Sequence, residues 1–453
     1  MQPLPKEFEE QMKRLLGEAG FFAYLDALNQ PYARALRVNL LLRPDGTPPC
    51  LIEGLGAPVP WAKGAYFVEG DARPGLSPLH EGGLFYMQEP SALTAVTALD
   101  PQPGERVLDL CAAPGGKSTQ IAALMAGRGL LCCNEPILSR AQILSRNIER
   151  MGVRNAVVLS AMPDALAPRF PAFFDRILVD APCSGEGMFR RQPEARDEWD
   201  ADAPRRCADR QMEILAQAAK MLRPGGTMVY STCTFNDTEN EGVLRRFLAL
   251  HPEFSLVPFT LPALPEAKDG YLHLYPHEMR GEGHFVSRLK KADGADKADA
   301  PVQGAPQRKA PARTAAKGKA PAPIALPDVF SDAFASERLY TAGDALWMLP
   351  EGISIERLSG LRVLRTGLLL AHAEGKRSEP DHALAMALRP EEAVRTASLT
   401  QTQALAYQAG ETLSLGDLPG GYTLLCCEGV SLGWGKQAGG LMKNHYPKGL
   451  RRR

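Results

Sequence analysis

The sequence lacks an excess of either charge. Its 453 residues carry 52 Lys and Arg against 52 Asp and Glu, so the formal net charge at pH 7 is zero. This excludes a uniformly basic coat for nucleic acid of the histone kind, and equally a uniformly acidic chain. Local basic patches remain open. No run of about 18 apolar residues occurs, so no transmembrane helix is expected. The first ten residues include acids and lack the apolar stretch of a signal peptide. Cysteine is sparse, with nine in the chain. None forms a Cys-x-x-Cys pair, and the doublets Cys132-Cys133 and Cys426-Cys427 have the wrong spacing for zinc. Neither a disulfide scaffold nor a metal site is expected. The reading is a reducing cytoplasm, no membrane association, and any active cysteine working as a thiol.

What is present suits an ordinary globular protein, with 45% apolar and 23% charged residues. At about 100–200 residues per domain, two to four domains are expected. From 291 to 324 the composition collapses to Ala, Pro, Gly, Lys and Asp. Such a segment cannot bury enough surface to offset its ordering entropy and reads as a flexible linker. Its Lys309, Arg313, Lys317 and Lys319 are candidates for weak phosphate contacts. The pattern also changes near residue 80. The expected division is therefore 1–80, 81–290, the linker 291–324, and 325–453.

A helix is expected over 8–16 and a strand-like piece over 35–42. Beyond residue 80, apolar runs at 106–110, 130–133, 156–159, 176–180 and 227–231 read as strands. Helical patterns at 117–125, 137–151 and 204–222 lie between them. This alternation predicts an α/β fold with a parallel-rich sheet covered on both faces. In such sheets the site lies beyond the carboxyl ends of the strands.

Those ends carry the informative residues. The first strand runs into Asp109-Leu-Cys-Ala-Ala-Pro-Gly-Gly-Lys117, a turn whose glycines let the backbone approach a ligand. Gly-x-Gly-x-x-Gly, the dinucleotide fingerprint, is absent. Gly116-Lys117-Ser118 matches the end of a P-loop, but Cys111 stands where its first glycine must be. The second strand ends at Asn134-Glu135, where a carboxylate commonly takes the ribose hydroxyls of an adenosine cofactor; a solvated loop glutamate is the alternative. The fourth ends in Asp180-Ala-Pro-Cys-Ser-Gly-Glu-Gly187 and the fifth in Ser231-Thr-Cys-Thr234. Cys183 and Cys233 thus stand at the ligand-facing ends of strands expected to be neighbours, inside polar turns. Cys111, Cys132, Cys133 and Cys207 read as inert filler.

In combination these motifs resemble the Sun/Fmu-type RNA cytosine-5 methyltransferases, which use S-adenosylmethionine (SAM). Leu36-Arg-Val-Asn39, Gln88-Glu-Pro-Ser-Ala92 and Asn240-Glu241 add to the resemblance, which spans roughly residues 1–290. Gly433-Trp-Gly435 and Lys443-Asn-His-Tyr-Pro447 resemble the PUA-type RNA-binding extension of the ribosomal RsmF branch. The resemblance implies a Rossmann-like class I SAM-dependent methyltransferase. An N-terminal α/β RNA-binding subdomain would precede it and a mixed α/β PUA-like region would follow. It implies that Cys111, Ala112, Ala113, Pro114, Gly115, Gly116 and Lys117 line SAM, with Glu135 on its ribose, Asp164 at its adenine and Asp180 near its reactive end. For Lys117, an RNA phosphate or a helix cap are alternatives.

The resemblance further makes Cys233 the nucleophile at cytosine C6, Cys183 the group that assists product release, and Asp180 the holder of the base edge. A thiolate is what this chemistry needs, because cytosine C5 becomes reactive only after addition at C6. No metal is implied. The expected partner is RNA, namely ribosomal RNA or the small ribosomal subunit, with transfer RNA as an alternative substrate, and a monomer is expected. A non-catalytic RNA-binding assembly factor and a P-loop nucleotidase are the readings of other classes. Arg190 and Arg191 are expected on the rim of the site. The segment from Gly433 onward holds Lys436, Lys443, Lys448 and Arg451–Arg453 without an acid. Trp434 and Tyr446 among them are candidates for stacking on bases, with a core role as the alternative for Trp434.

Overall fold

The computed structural model describes residues 3–48, 52–294, 324–330, 338–374 and 377–452. Most of the expected linker, 295–323, lies outside them, with Lys309, Arg313, Lys317 and Lys319, as does Arg453.

The N-terminal part opens on a helix, Lys6–Asn29. It runs well past the expected end, with a break at Gly17, where φ is 69°. Four short strands come next: β1 (Ala35–Val38), β2 (Leu55–Pro58), β3 (Ala65–Val68) and β4 (Phe85–Gln88). They form an antiparallel sheet in the order β2-β3-β1-β4. Two residues, one in β1 and one just past its end, lock this sheet to the central α/β layer. Arg37 is buried and donates to Thr119 Oγ1 at 2.8 Å. Asn39 Nδ2 donates to the carbonyls of Gly83 and Met151. Burial lowers the pKa of Arg37 to about 10, so its guanidinium remains charged at neutral pH and needs these acceptors.

The central sheet contains β5 (Arg106–Asp109), β6 (Leu130–Asn134), β7 (Ala156–Leu159), β8 (Phe174–Asp180), β9 (Leu222–Thr232), β10 (Phe254–Leu256), β11 (Tyr271–Leu274) and β12 (His284–Lys291). After it come β13 (Leu339–Ala342), β14 (Ala345–Met348), β15 (Val363–Arg365), β16 (Leu368–Glu374), β17 (Arg377–Pro380), β18 (Thr396–Ser398), β19 (Gly421–Cys427), β20 (Val430–Ala438) and β21 (Leu441–Asn444). The central order is β10-β12-β9-β8-β5-β6-β7-β15, with β11 on β12. Neighbours from β9 through β7 are parallel, and β12 and β15 are antiparallel to their partners.

The apolar runs are continuous because both faces of these strands are covered. Successive side chains point to opposite faces. Val107, Leu131, Cys133 and Val158 pack with the helices Leu93–Leu99, Gly116–Leu124 and Leu138–Arg150. Leu108, Cys132 and Val157 pack with Ala203–Met221 and Glu241–Leu250. The adjacent Cys132 and Cys133 therefore sit in two different cores. The chain leaves β5 toward β6 and β7, then returns to β8 on the other side. This reversal opens a crevice beyond the carboxyl ends of β5 and β8, where ligands of such sheets bind.

The C-terminal strands form two further four-stranded sheets, β13-β14-β16-β17 and β18-β19-β20-β21. One element departs from a beads-on-a-linker picture. β15 adds to the edge of the central sheet against β7, and Ser160 N donates to Arg362 O at 2.9 Å. Arg365 also pairs with Glu149, so residues after 324 cover the edge of the central sheet. Among the described residues no helix is long and apolar enough to cross a membrane.

Candidate active site

The turn after β5 is built to bring backbone close to a ligand. Ala112 N donates to Asn134 O at 2.9 Å, tying it to the end of β6. Gly115 has φ of +113°, and a Cβ there would come within 3.2 Å of Leu144 and 3.3 Å of Asn147. Its place in the turn is therefore steric, and it does not line the cavities beside it. Beneath the turn, Asp109 accepts from Ser118 Oγ at 2.6 Å, while its Oδ1 has no partner. Burial pushes the Asp109 carboxyl up to about 7.

The raised pKa of Asp109 makes stability pH-dependent. The unfolded carboxyl ionises near its ordinary value of 3.8, whereas the folded one holds its proton until about 7. Its stabilising contribution is full below the lower value and is lost as pH rises through the upper one. Asp109→Asn keeps the contact to Ser118. It is expected to match the parent in thermal denaturation at pH 4 and to exceed it at pH 8, by on the order of a few kcal/mol. An unchanged difference between the two pH values would contradict this.

Two adjoining cavities of about 380 and 1050 Å³ share Cys111, Ala113, Arg140, Asp180, Met188 and Cys233. The smaller is lined also by Ala112, Pro114, Gly116, Lys117, Gln88 and His284. The larger is lined by Glu135, Ile137, Met162, Asp164 and Cys183. The donor set of the larger fits SAM. Glu135 is buried at the carboxyl end of β6, with Oε1 held by Ile137 N at 3.0 Å and Oε2 3.4 Å from Arg140. Such a carboxylate accepts from paired ribose hydroxyls. Ile137 and Met162 are 53% and 60% exposed although large and apolar, and they line the same cavity. They offer faces for a flat purine, and Asp164 stands two residues after Met162. The Cys111 thiol is pushed up by burial and remains neutral.

Asp180, at the end of β8, lies where the two cavities meet. Its Oδ2 accepts from Lys117 Nζ at 2.7 Å and its Oδ1 from Ser231 Oγ at 2.8 Å. His284 Nε2 lies 3.6 Å from Oδ1. Burial raises the Asp180 carboxyl, but Lys117 and these donors outweigh it and leave its pKa below the usual value. Lys117 places its ammonium against Asp180, 63 residues away, and lines the smaller cavity.

Cys183 Sγ and Cys233 Sγ are 3.0 Å apart, and Cys233 N donates to Cys183 Sγ at 3.3 Å. Both are free thiols. The hydrogen bond to Cys233 and burial raise the Cys183 thiol well above the usual range. Behind them lies a buried polar frame. Glu239 accepts from Ser184 N at 3.0 Å, Gln211 Nε2 at 2.9 Å and Asn236 Nδ2 at 2.8 Å. Glu186 accepts from Phe235 N at 2.8 Å and Asn236 N at 3.1 Å. Asn240 bonds both Thr232 Oγ1 and Thr234 O. The two cysteine turns are thus cross-braced. Sequence reading missed Glu186, Gln211, Asn236, Glu239 and His284. Glu186, Asn236 and Glu239 lie in the polar turns after β8 and β9, which was the available signal; Gln211 lies within the helix Ala203–Met221 and His284 at the start of β12, where none existed.

Several expectations need correction. Arg191 is exposed and lines the smaller cavity, but Arg190 does not stand free on the rim. It forms a bidentate pair with buried Glu282 at 2.7 and 2.9 Å and donates to Ala27 O at 2.6 Å. Arg190→Ala would leave a buried carboxylate unpaired. It is expected to lose about 3–5 kcal/mol of stability in chemical denaturation; weaker RNA binding at unchanged stability would restore the rim reading. Trp434 and Tyr446 are 2% and 3% exposed, so neither is available to stack on a base. Trp434 Nε1 donates to Asp381 O at 2.8 Å, and Tyr446 packs on Tyr407. Lys436 and Lys443 pair across β20 and β21, and Lys436 lies 4.6 Å over the Tyr422 ring. Arg452 is tied to the carbonyls of Leu76 and Ser77.

The sequence pattern of the family described as 16S rRNA methyltransferase RsmB/F matches residues 96–290. Patterns for the RsmF N-terminal, first C-terminal and PUA domains match 4–90, 327–388 and 394–452. A protein named ribosomal RNA small subunit methyltransferase F from Erwinia tasmaniensis is 34% identical, over 98% of this chain and 96% of its own length. A protein of the same name from Escherichia coli is also 34% identical, with the same coverage. Among solved structures, a methyltransferase homologue from Pyrococcus horikoshii is 30% identical, with a TM-score of 0.54 over 63% of this chain and 95% of its own. Strand order, the crevice and full-length similarity agree: the chain belongs to the RsmB/F family of SAM-dependent RNA methyltransferases.

Proposed function

We propose that this chain methylates C5 of a cytosine in small-subunit ribosomal RNA, acting as a cytoplasmic monomer with SAM as methyl donor and no metal. The observation that carries the reading is the pair of thiols 3.0 Å apart, lining with Asp180 the cavity of about 1050 Å³. When bound, SAM supplies an electrophilic methyl group. Cys111, Ala112, Ala113, Pro114, Gly116, Glu135 and Asp164 would hold it, with Gly115 shaping the turn. Cys233 gives up its thiol proton to solvent and adds its Sγ to C6 of the base, and the C5–C6 π pair shifts onto C5 and makes it nucleophilic. Asp180 accepts from the exocyclic amine. After methylation, Cys183 assists loss of the C5 proton to solvent; the C5–H electron pair re-forms the C5–C6 double bond and the C6–S pair leaves with Cys233 as its thiolate.

The target base must leave its stack to reach this site, which suits a loop or a flipped nucleotide. Arg191, Lys436 and Lys443 are the basic groups proposed to meet RNA. Full-length similarity to ribosomal enzymes supports ribosomal over transfer RNA. Bisulfite sequencing of both RNAs from cells lacking the protein tests this. Loss of protection at a small-subunit cytosine is expected, and loss confined to transfer RNA would overturn the choice of substrate.

A further inference from the structure

His284 has no part in the chemistry proposed for the two thiols. It begins β12, the antiparallel strand beside β9, and its side chain is 3% exposed. Its ring lines the smaller cavity with Lys117, Asp180 and Cys233, yet its Nε2 has no hydrogen-bond partner. A buried imidazole nitrogen without a partner costs free energy and calls for an explanation. The backbone just before it admits only glycine: Gly283 has φ of +108°, and a Cβ on it would come within 2.5 Å of the Phe235 ring. Burial and the Lys117 ammonium hold His284 neutral. Nε2 faces the Asp180 carboxylate, an acceptor only, which suits the tautomer with hydrogen on Nε2. At 3.6 Å the pair stops just short of a hydrogen bond.

We propose that His284 is a positioning residue for base recognition: Nε2–H closes onto Asp180 Oδ1 when the target base enters and fixes the carboxylate toward the exocyclic amine. A carboxylate has about four acceptor positions. Lys117 and Ser231 fill two. His284 takes a third and leaves one for the amine. The inference rests on the proposed role of Asp180 in cytosine binding. The charged or titratable groups interacting with Asp180 include Lys117 from the helix after β5, Asp109 from β5, Cys111 from the turn and His284 from β12; Arg140, Cys233, Cys183, Glu135, Arg191 and Glu282 line the same cavities.

The test compares the full chain with His284→Phe, which keeps ring volume without the donor, and His284→Gln, which keeps a donor. Steady-state methylation of small-subunit RNA is measured across pH, with SAM binding and melting temperature alongside. His284→Phe is expected to lower kcat about 10- to 100-fold with SAM binding unchanged. The acid limb of its kcat profile should move to higher pH, because losing a donor makes the Asp180 carboxylate easier to protonate. His284→Gln should recover most of both. A Phe variant with parental kcat and an unmoved acid limb would overturn the proposal. So would a slow Phe variant whose acid limb stays put and which Gln does not rescue, since that is packing alone. Absence of cytosine methylation by the parent chain would instead overturn the reading of function, which separates the two failures.

Discussion

Replacing Cys233 with alanine is expected to abolish methyl transfer, by about 10⁴-fold or more, and to abolish any covalent protein–RNA complex. The reason is chemical. Cytosine C5 does not attack a methyl donor until a nucleophile has added at C6, so no partial mechanism remains once the thiol is gone. Fold should survive, because the turn holding Cys233 is braced by Glu186, Asn236 and Asn240 rather than by its sulfur. The neighbouring Cys183 is a poor substitute, because its bond to Cys233 and burial keep its thiol protonated. Methylation assays with retained SAM binding as control measure this. Substantial residual activity in Cys233→Ala would assign the attack to another group.

Replacing Cys183 with alanine should have the opposite signature. Addition and methylation proceed, but release stalls. A complex resistant to denaturing electrophoresis should accumulate to at least about tenfold the parental level, while turnover falls by a similar factor or more. The 3.0 Å separation of the sulfurs gives Cys183 reach to the same base as Cys233. The double variant should form no complex. An adduct in Cys233→Ala and none in Cys183→Ala would reverse the two assignments.

The parallel strands were legible because burial on both faces writes continuous apolar runs; β7 matches its expected span of 156–159. The N-terminal helix was read too short. Its turns resume after Gly17, and a glycine inside a helical pattern normally signals a stop. β15 could not be foreseen. Three residues, Val363–Arg365, carry no periodicity, and they become a strand only by pairing with β7.

The same division runs through the site. Residues at strand ends, such as Cys183 and Cys233, could be placed by topology. Side chains whose partners lie far along the chain could not. Glu239 meets Ser184 across 55 residues, and Arg190 meets Glu282 across 92. From sequence alone, an arginine next to a motif looks like a ligand for phosphate. Only the fold reveals a buried carboxylate that claims it.

The most direct test is to trap the parent chain on small-subunit RNA carrying 5-fluorocytidine, with SAM present, and to map the RNA-linked peptide by mass spectrometry. Fluorine at C5 cannot be removed as a proton is, so the covalent complex cannot resolve. The link is expected on the sulfur of Cys233. A link on Cys183, or no covalent complex under conditions that support methylation of the unmodified RNA, would contradict it.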